Sequence, residues 1–195
     1  MGAPGSGKGT QAAIMAAHLG IPAISTGDIF RANVAAATPL GVEAKKYMLR
    51  GEYVPDSVTN AMVRSRLSRP DAATGFILDG YPRTVSQVDF LDDVLAGQGA
   101  KLDAVIMLVV DVEEVVRRLL RRAEAEGRSD DTEEVIRHRL ELFARETEPL
   151  AQIYDGRGLL TRVDGVGPVS TVATRVLAAV NDGAEFSSVE EPGQA

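Results

Sequence analysis

Along the chain, short apolar runs alternate with longer stretches in which apolar residues return at helical spacing, a pattern that predicts parallel strands joined by helices. The apolar runs predict strands over Pro22–Ser25, Gly75–Asp79, Ala104–Val110 and Leu159–Val163. Helical spacing predicts helices over Gly7–Leu19, Gly27–Ala37, Gly41–Arg50, Asp56–Leu67, Val85–Ala96, Val112–Glu126, Thr132–Tyr154 and Pro168–Asn181. Two connections are too elaborate for simple crossovers. The segment Thr26–Leu67 fits three short helices between two strands and is expected to stand off the sheet as a subdomain. The segment Ala123–Asp131, AEAEGRSDD, reads as a short mobile loop between two long helices. Both fall at the carboxyl ends of strands, where open parallel sheets bind ligands. Residues 1–181 are expected to form a single domain. Residues 182–195 are too rich in Gly, Ser, Glu and Pro to offset their ordering entropy and are expected to be disordered.

The bulk numbers narrow this picture. A chain of 195 residues suits one compact domain with small insertions. No run approaches the 18 or so consecutive apolar residues of a membrane span, and MGAPGSGKGT lacks the basic start and apolar stretch of a secretory signal. There is no cysteine for disulfides or for a thiolate zinc site. A soluble cytoplasmic protein is the expectation. The net charge of −7 and pI near 4.9 argue against a nucleic-acid surface, which needs a broad basic face. Any polyanion bound here must meet a local cluster of arginines.

The strongest motif is Gly2-Ala-Pro-Gly-Ser-Gly-Lys-Gly9-Thr10, which matches G-x-x-x-x-G-K and runs straight into a helical pattern. Glycines let backbone N–H groups turn toward a phosphate, the helix N-terminus adds positive dipole, and Lys8 reaches the outer phosphates. A dinucleotide fingerprint would also place glycines here, but it does not use the lysine, and no acidic residue closes a strand at the required distance. The motif departs from the general pattern at Gly9, which fills the Ser/Thr slot, so that the hydroxyl moves to Thr10.

The string GKGTQ resembles the adenylate kinases, and the resemblance continues in order through Ser25-Thr-Gly-Asp28 with Arg31, Gly51-Glu-Tyr-Val-Pro-Asp56, Asp79-Gly-Tyr-Pro-Arg-Thr84 with Gln87, Arg128-Ser-Asp-Asp131, and Val163-Asp-Gly165 before Pro168. It covers residues 2–180. The resemblance implies an α/β fold of the P-loop NTPase type, a parallel sheet flanked by helices, with a helical AMP-binding insertion over 26–67 and a short lid loop over 123–131. It implies reversible phosphoryl transfer from ATP to AMP giving two ADP, for adenine nucleotide homeostasis. Magnesium is expected with ATP, zinc is not expected, and a monomer is the family expectation.

Phosphoryl transfer needs in-line positioning and cations aimed at the transferred group. By resemblance, Arg31 and Arg83 grip the AMP phosphate, Lys8, Arg118 and Arg122 face ATP, and Arg128 and Arg139 close over the transferring phosphate. In Arg117-Arg118-Leu-Leu-Arg121-Arg122, helical spacing puts 118 with 122 on one face and 117 with 121 on a neighbouring one. Only one pair is expected to look into the cleft, and Arg118 with Arg122 is favoured. Arg137 and His138 compete with Arg139 in the same way. The resemblance places ATP against Gly5, Ser6, Gly7, Lys8, Gly9 and Thr10, with Gly167 and Pro168 bordering its adenine. It places AMP against Thr26, Glu52, Tyr53, Val54, Gly80, Tyr81, Pro82 and Gln87, whose amide can both donate to and accept from adenine. Asp79 ends the strand FILD and is expected to hold magnesium through waters, while Asp28 reads equally as a magnesium partner or a helix cap. His18 and His138 are assigned no chemistry.

Two rival readings exist. A UMP/CMP kinase of the same fold tends to carry Asn where Thr84 stands and to lack Thr at the position of Thr26. A non-catalytic nucleotide-binding module would have no need of arginines converging on an acceptor phosphate. A further expectation concerns the start of the chain. A P-loop ordinarily follows a buried apolar strand, yet only Met1 precedes Gly2, and the resemblance implies about five apolar residues there. Their gross burial would contribute about 8–15 kcal/mol. The expectation is a sheet lacking its first strand, with a start internal to the natural reading frame or a destabilised chain of poor ATP affinity.

Overall fold

The computed structural model describes residues 1–126 and 132–187. Among them four strands, β1 (Ala23–Ser25), β2 (Ile77–Asp79), β3 (Val105–Val109) and β4 (Leu160–Asp164), are joined by helices α1 (Lys8–Leu19), α2 (Thr26–Ala35), α3 (Pro39–Met48), α4 (Asp56–Leu67), α5 (Val85–Ala96), α6 (Val112–Glu126), α7 (Glu133–Leu142), α8 (Leu150–Gly156) and α9 (Val169–Ser187). Among the described residues both strand pairings are parallel, so β1 to β2 and β3 to β4 are each joined by a crossover. The pairing places Ser25 beside Asp79 and Val109 beside Asp164, gathering the carboxyl ends of each strand pair at one edge.

The sheet is parallel, as the apolar runs predict, but it comes in two halves. Among the described residues β1 pairs with β2 and β3 with β4, and no ladder joins β2 to β3. A single rung of a further strand stands beside β3, where the Met1 amine donates to the Ile106 carbonyl and the Leu108 N–H donates to the Met1 carbonyl at 3.0 Å. One cavity of about 1760 Å³ takes in both the gap between the halves, walled by Ile77, Leu78, Val105 and Ile106, and the cleft over the P-loop.

Side-chain packing follows the same division. Ile24, Val63, Leu67, Tyr81, Leu91 and Leu95 knit β1 and β2 to α4 and α5. Met15, Leu108, Val163, Val172 and Val176 pack α1 and α9 on β3 and β4. Residues 26–67 have a small core of their own in Phe30, Ala44 and Val54. There α3 crosses α2 so closely that a Cβ on Gly41 would lie 2.1 Å from the Asn33 carbonyl oxygen, and only glycine fits.

Three expectations change at their ends. The helix predicted over Thr132–Tyr154 is interrupted: α7 gives way to a π-helical turn over Phe143–Thr147, and α8 restarts after Pro149. Proline has no N–H to continue the α-helical ladder, and the Glu148 N–H reaches back five residues to the Phe143 carbonyl at 2.9 Å. The loop predicted from Ala123 begins later, because Ala123–Glu126 continue α6; alanine and glutamate are strong helix formers. Likewise α9 runs past Asp182 to Ser187, into the segment expected to be disordered. Residues 127–131 of the predicted lid, Arg128 among them, and residues 188–195 of the predicted tail lie outside the described residues.

Candidate active site

The P-loop folds as its glycines allow. Gly2, Gly5 and Gly7 all have positive φ, and Gly7 caps α1 in the left-handed conformation. Gly5 also has no room for a side chain, since a Cβ would lie 2.7 Å from Leu119 Cγ on α6. Lys8 is the first residue of α1, and its Nζ donates to the Ala3 carbonyl at 2.9 Å, across the mouth of the loop. Desolvation lowers the Lys8 ammonium from its ordinary range to about 8, with the Asp79 carboxylate opposing the fall and the Arg83 and Arg122 guanidinia adding to it. Gly5, Ser6, Gly7, Gly9 and Thr10 line the cleft with it. Ser6 is buried, and its Oγ has no hydrogen-bond partner.

Asp79 ends β2 beside the loop, where a Cβ on Gly9 would sit 3.4 Å from its Oδ2. Its other oxygen, Oδ1, is buried without a hydrogen-bond partner. Asp28 shares with Asp79, Gly9 and Ser25 a side cavity of about 210 Å³. The helix cap there is Ser25, whose Oγ accepts from the Asp28 N–H; the Asp28 carboxylate instead pairs with Arg31 at 2.5 Å. Among the described residues no three His, Asp or Glu side chains cluster as metal ligands. An unpartnered, buried carboxylate oxygen facing a phosphate loop nevertheless suits a cation that keeps most of its waters, as magnesium does.

The cations approach from several elements. Arg118 on α6 donates through Nε to Glu114 Oε1 at 2.7 Å and through its Nη atoms to the carbonyls of Ser6 and Gly165 at 3.3–3.5 Å, spanning the P-loop and the turn after β4. Its side chain is 26% exposed, whereas that of Arg117, which also pairs with Glu114, is 63% exposed. Arg121 donates back to the Arg117 carbonyl; it lines the cleft together with Arg122, which comes close enough to depress Lys8. Arg139 on α7 donates to the Met48 carbonyl at 3.3 Å, while Arg137 faces outward to Glu133. Gly167 stands at the cleft rim with a positive φ.

Arg83 is held from several sides. The turn after β2 starts at Gly80, φ +77°, where a Cβ would meet both Arg83 Nη2 and Thr26 Oγ1 at 3.0 Å. The Gly80 carbonyl accepts from Arg83 Nε at 2.7 Å and from Thr26 Oγ1 at 3.0 Å. The Tyr81–Pro82 peptide is cis. The Arg83 N–H donates to Gln87 Oε1 at 2.8 Å, and the guanidinium lies 4.9 Å over the Tyr53 ring. Burial lowers its pKa, Tyr53 and Asp79 oppose that, and Arg139 and Arg31 add to it, so these cations feel one another across one space.

On the 26–67 side, Glu52, Tyr53 and Val54 line the cleft, and Glu52 pairs with Arg50 at 2.8 Å. Gln87 is buried and more engaged than its expected place beside a base suggests. Its Nε2 donates to Asp56 Oδ1 at 2.5 Å, leaving one amide proton and one oxygen lone pair for a ligand. Asp56 also accepts from Thr84 Oγ1 at 2.8 Å and from Ser86. Sequence reasoning missed Asp56 because an aspartate in the first turn of a helix reads as an ordinary dipole partner. It missed Thr147 as well, which touches both Tyr53 and Arg83 from the far side of the chain.

The adenylate kinase family model matches residues 1–159. The adenylate kinase of Nocardioides sp. (strain ATCC BAA-499 / JS614) is 60% identical over 181 residues, 93% of this chain and 95% of that protein. Those of Pseudarthrobacter chlorophenolicus and Thermobifida fusca are 60% and 56% identical over 180 residues, each covering 92% of this chain and 94% and 95% of their own lengths. No helix among the described residues is long and apolar enough to cross a membrane.

Proposed function

Since the chain belongs to the adenylate kinase family, we propose that its cleft holds ATP on the P-loop and AMP between Arg83 and residues 26–67, and moves the terminal phosphate between them. ATP and AMP give two ADP, reversibly. The observation that carries this reading is the convergence of Lys8, Arg31, Arg83, Arg122 and Arg139 on one cleft from different elements. Plain nucleotide binding needs only the P-loop; a set of guanidinia facing Lys8 across the cleft suits a second phosphate.

On the ATP side, Lys8 and the N–H groups of the loop hold the outer phosphates, and Arg118 and Arg122 cover them. On the AMP side, Arg31 and Arg83 grip the phosphate, Arg139 and Arg128 close over the transferring group, and Thr26 and Gln87 flank the base. Asp79, with Asp28, would hold a magnesium ion through its waters, and the ion would supply charge neutralisation at the ATP phosphates. The protein's own share is orientation and exclusion of water, since the acceptor oxygen must lie in line with the bond that breaks. The protein acts as a cytoplasmic monomer, and residues 26–67 close over AMP. A coupled assay of ADP formation from ATP with AMP, CMP, UMP or GMP tests the reading: AMP should be the preferred acceptor, and turnover with CMP or UMP but none with AMP would overturn it.

A further inference from the structure

Thr147 belongs to none of the groups assigned to either nucleotide, yet it is only 5% exposed and sits where three parts of the molecule meet. It ends the π-helical turn that comes after α7 and its Arg139. Its Oγ1 donates to the Arg83 carbonyl at 2.9 Å and lies 2.8 Å from the Tyr53 hydroxyl. A threonine hydroxyl has one proton. With that proton given to Arg83, Thr147 can only accept from Tyr53, so donation runs from Tyr53 through Thr147 to the Arg83 carbonyl. The Arg83 guanidinium rests on the ring of the same tyrosine. Tyr53 therefore holds Arg83 at both ends, by its face directly and by its hydroxyl through Thr147. A π-helical turn spends one more residue than a regular turn, which rotates the next helical segment by about 100°, and such turns gather at functional sites.

We propose that Thr147 is a positioning residue for the acceptor side: it registers Arg83 against Tyr53 of the 26–67 subdomain and against the α7 arm that carries Arg139. This rests on the reading that Arg83 grips the AMP phosphate. The Gly80 and Gln87 contacts keep the Arg83 turn folded without Thr147, so its loss acts on the aim of Arg83 more than on the fold.

The test uses the full chain with Thr147→Val, which keeps the shape but cannot donate, Thr147→Ser, which keeps the hydroxyl, Tyr53→Phe, and the Tyr53→Phe/Thr147→Val double variant. KM for AMP, KM for ATP, kcat and Tm are measured for each. Thr147→Val should lower kcat/KM for AMP about tenfold, the scale of one hydrogen bond, and change KM for ATP by less than about twofold. Thr147→Ser should restore most of the loss. In the double variant Tyr53→Phe should add little, because the relay is already cut. Parallel changes for both nucleotides, losses that multiply in the double variant, or a serine variant as impaired as the valine one would overturn the proposal. Should the valine variant not fold, Thr147→Ala takes its place with the same criteria. Arg83→Ala is assayed alongside. If it raises KM for AMP while Thr147→Val changes nothing, the role of Thr147 falls and that of Arg83 stands; if it harms both nucleotides equally, the reading of Arg83 falls.

Discussion

The desolvation of Lys8 should make ATP binding depend on pH. Desolvation, helped by Arg83 and Arg122 and opposed by Asp79, holds the Lys8 ammonium at about 8. The neighbouring Met1 amine is lowered by burial to about 5 and is uncharged throughout this window. ATP brings negative oxygens to Lys8 and should return its pKa to the ordinary value near 10.4 or above. The empty state therefore has the lower pKa, and binding takes up a proton wherever the empty lysine is partly deprotonated. At pH 8 about half of the lysines are charged before binding, so uptake is about 0.5 proton; at pH 9 about a tenth are charged and uptake is about 0.9 proton. ATP affinity should fall with rising pH, approaching about tenfold per unit above pH 8. Titration calorimetry at pH 9 in two buffers of different ionisation enthalpy measures the uptake directly. Zero uptake at pH 9, or affinity that stays flat from pH 7 to 9.5, would refute the account of the desolvated lysine.

Replacing Arg83 by Ala removes a charge-assisted grip worth about 1.5–3 kcal/mol, so KM for AMP should rise about ten- to a hundredfold while KM for ATP stays near its original value in initial-rate assays. A bisubstrate analogue should slow amide hydrogen exchange over residues 26–67 and at 123–126; unchanged exchange in both would rule closure out. Inserting Arg-Val-Leu-Leu-Leu between Met1 and Gly2 should raise Tm markedly, because the gap walled by Ile77, Val105 and Ile106 can bury apolar side chains at about 1.5–3 kcal/mol each. Equal melting temperatures would mean the gap does not limit stability.

The features legible in the sequence are those it encodes locally. Helix α5 reads correctly at both ends because Thr84 caps it, accepting from the Gln87 N–H, and Gly97 succeeds it. The P-loop and the Gly80–Arg83 turn each lie within a few consecutive residues, so their glycines and cations announce themselves. The groups that aim them do not. Asp56 meets Gln87 across 31 residues and Thr147 meets Arg83 across 64, and neither pairing leaves a periodicity or a motif. The break at Pro149 carries a signal, the proline itself, which apolar spacing continuing on both sides outweighs. In the arginine run of α6, spacing divides four residues into two pairs, but the contacts that hold Arg118 come from Ser6 and Gly165, far off in the chain. Arg128 falls outside the described residues.

The close crossing at Gly41 makes α2 and α3 a single lever. Were it to swing, its fulcrum would be the junction of β1 and α2, where Thr26 is fastened to the Gly80 carbonyl. The ten residues of α2 span about 15 Å at 1.5 Å each. A swing of about 20° at the fulcrum would carry the far end about 5 Å and Arg31, a little over halfway along, about 3 Å. Such a swing lies within a few backbone torsions around Ser25 and Thr26, so a large travel at the tip needs no repacking inside the lever itself.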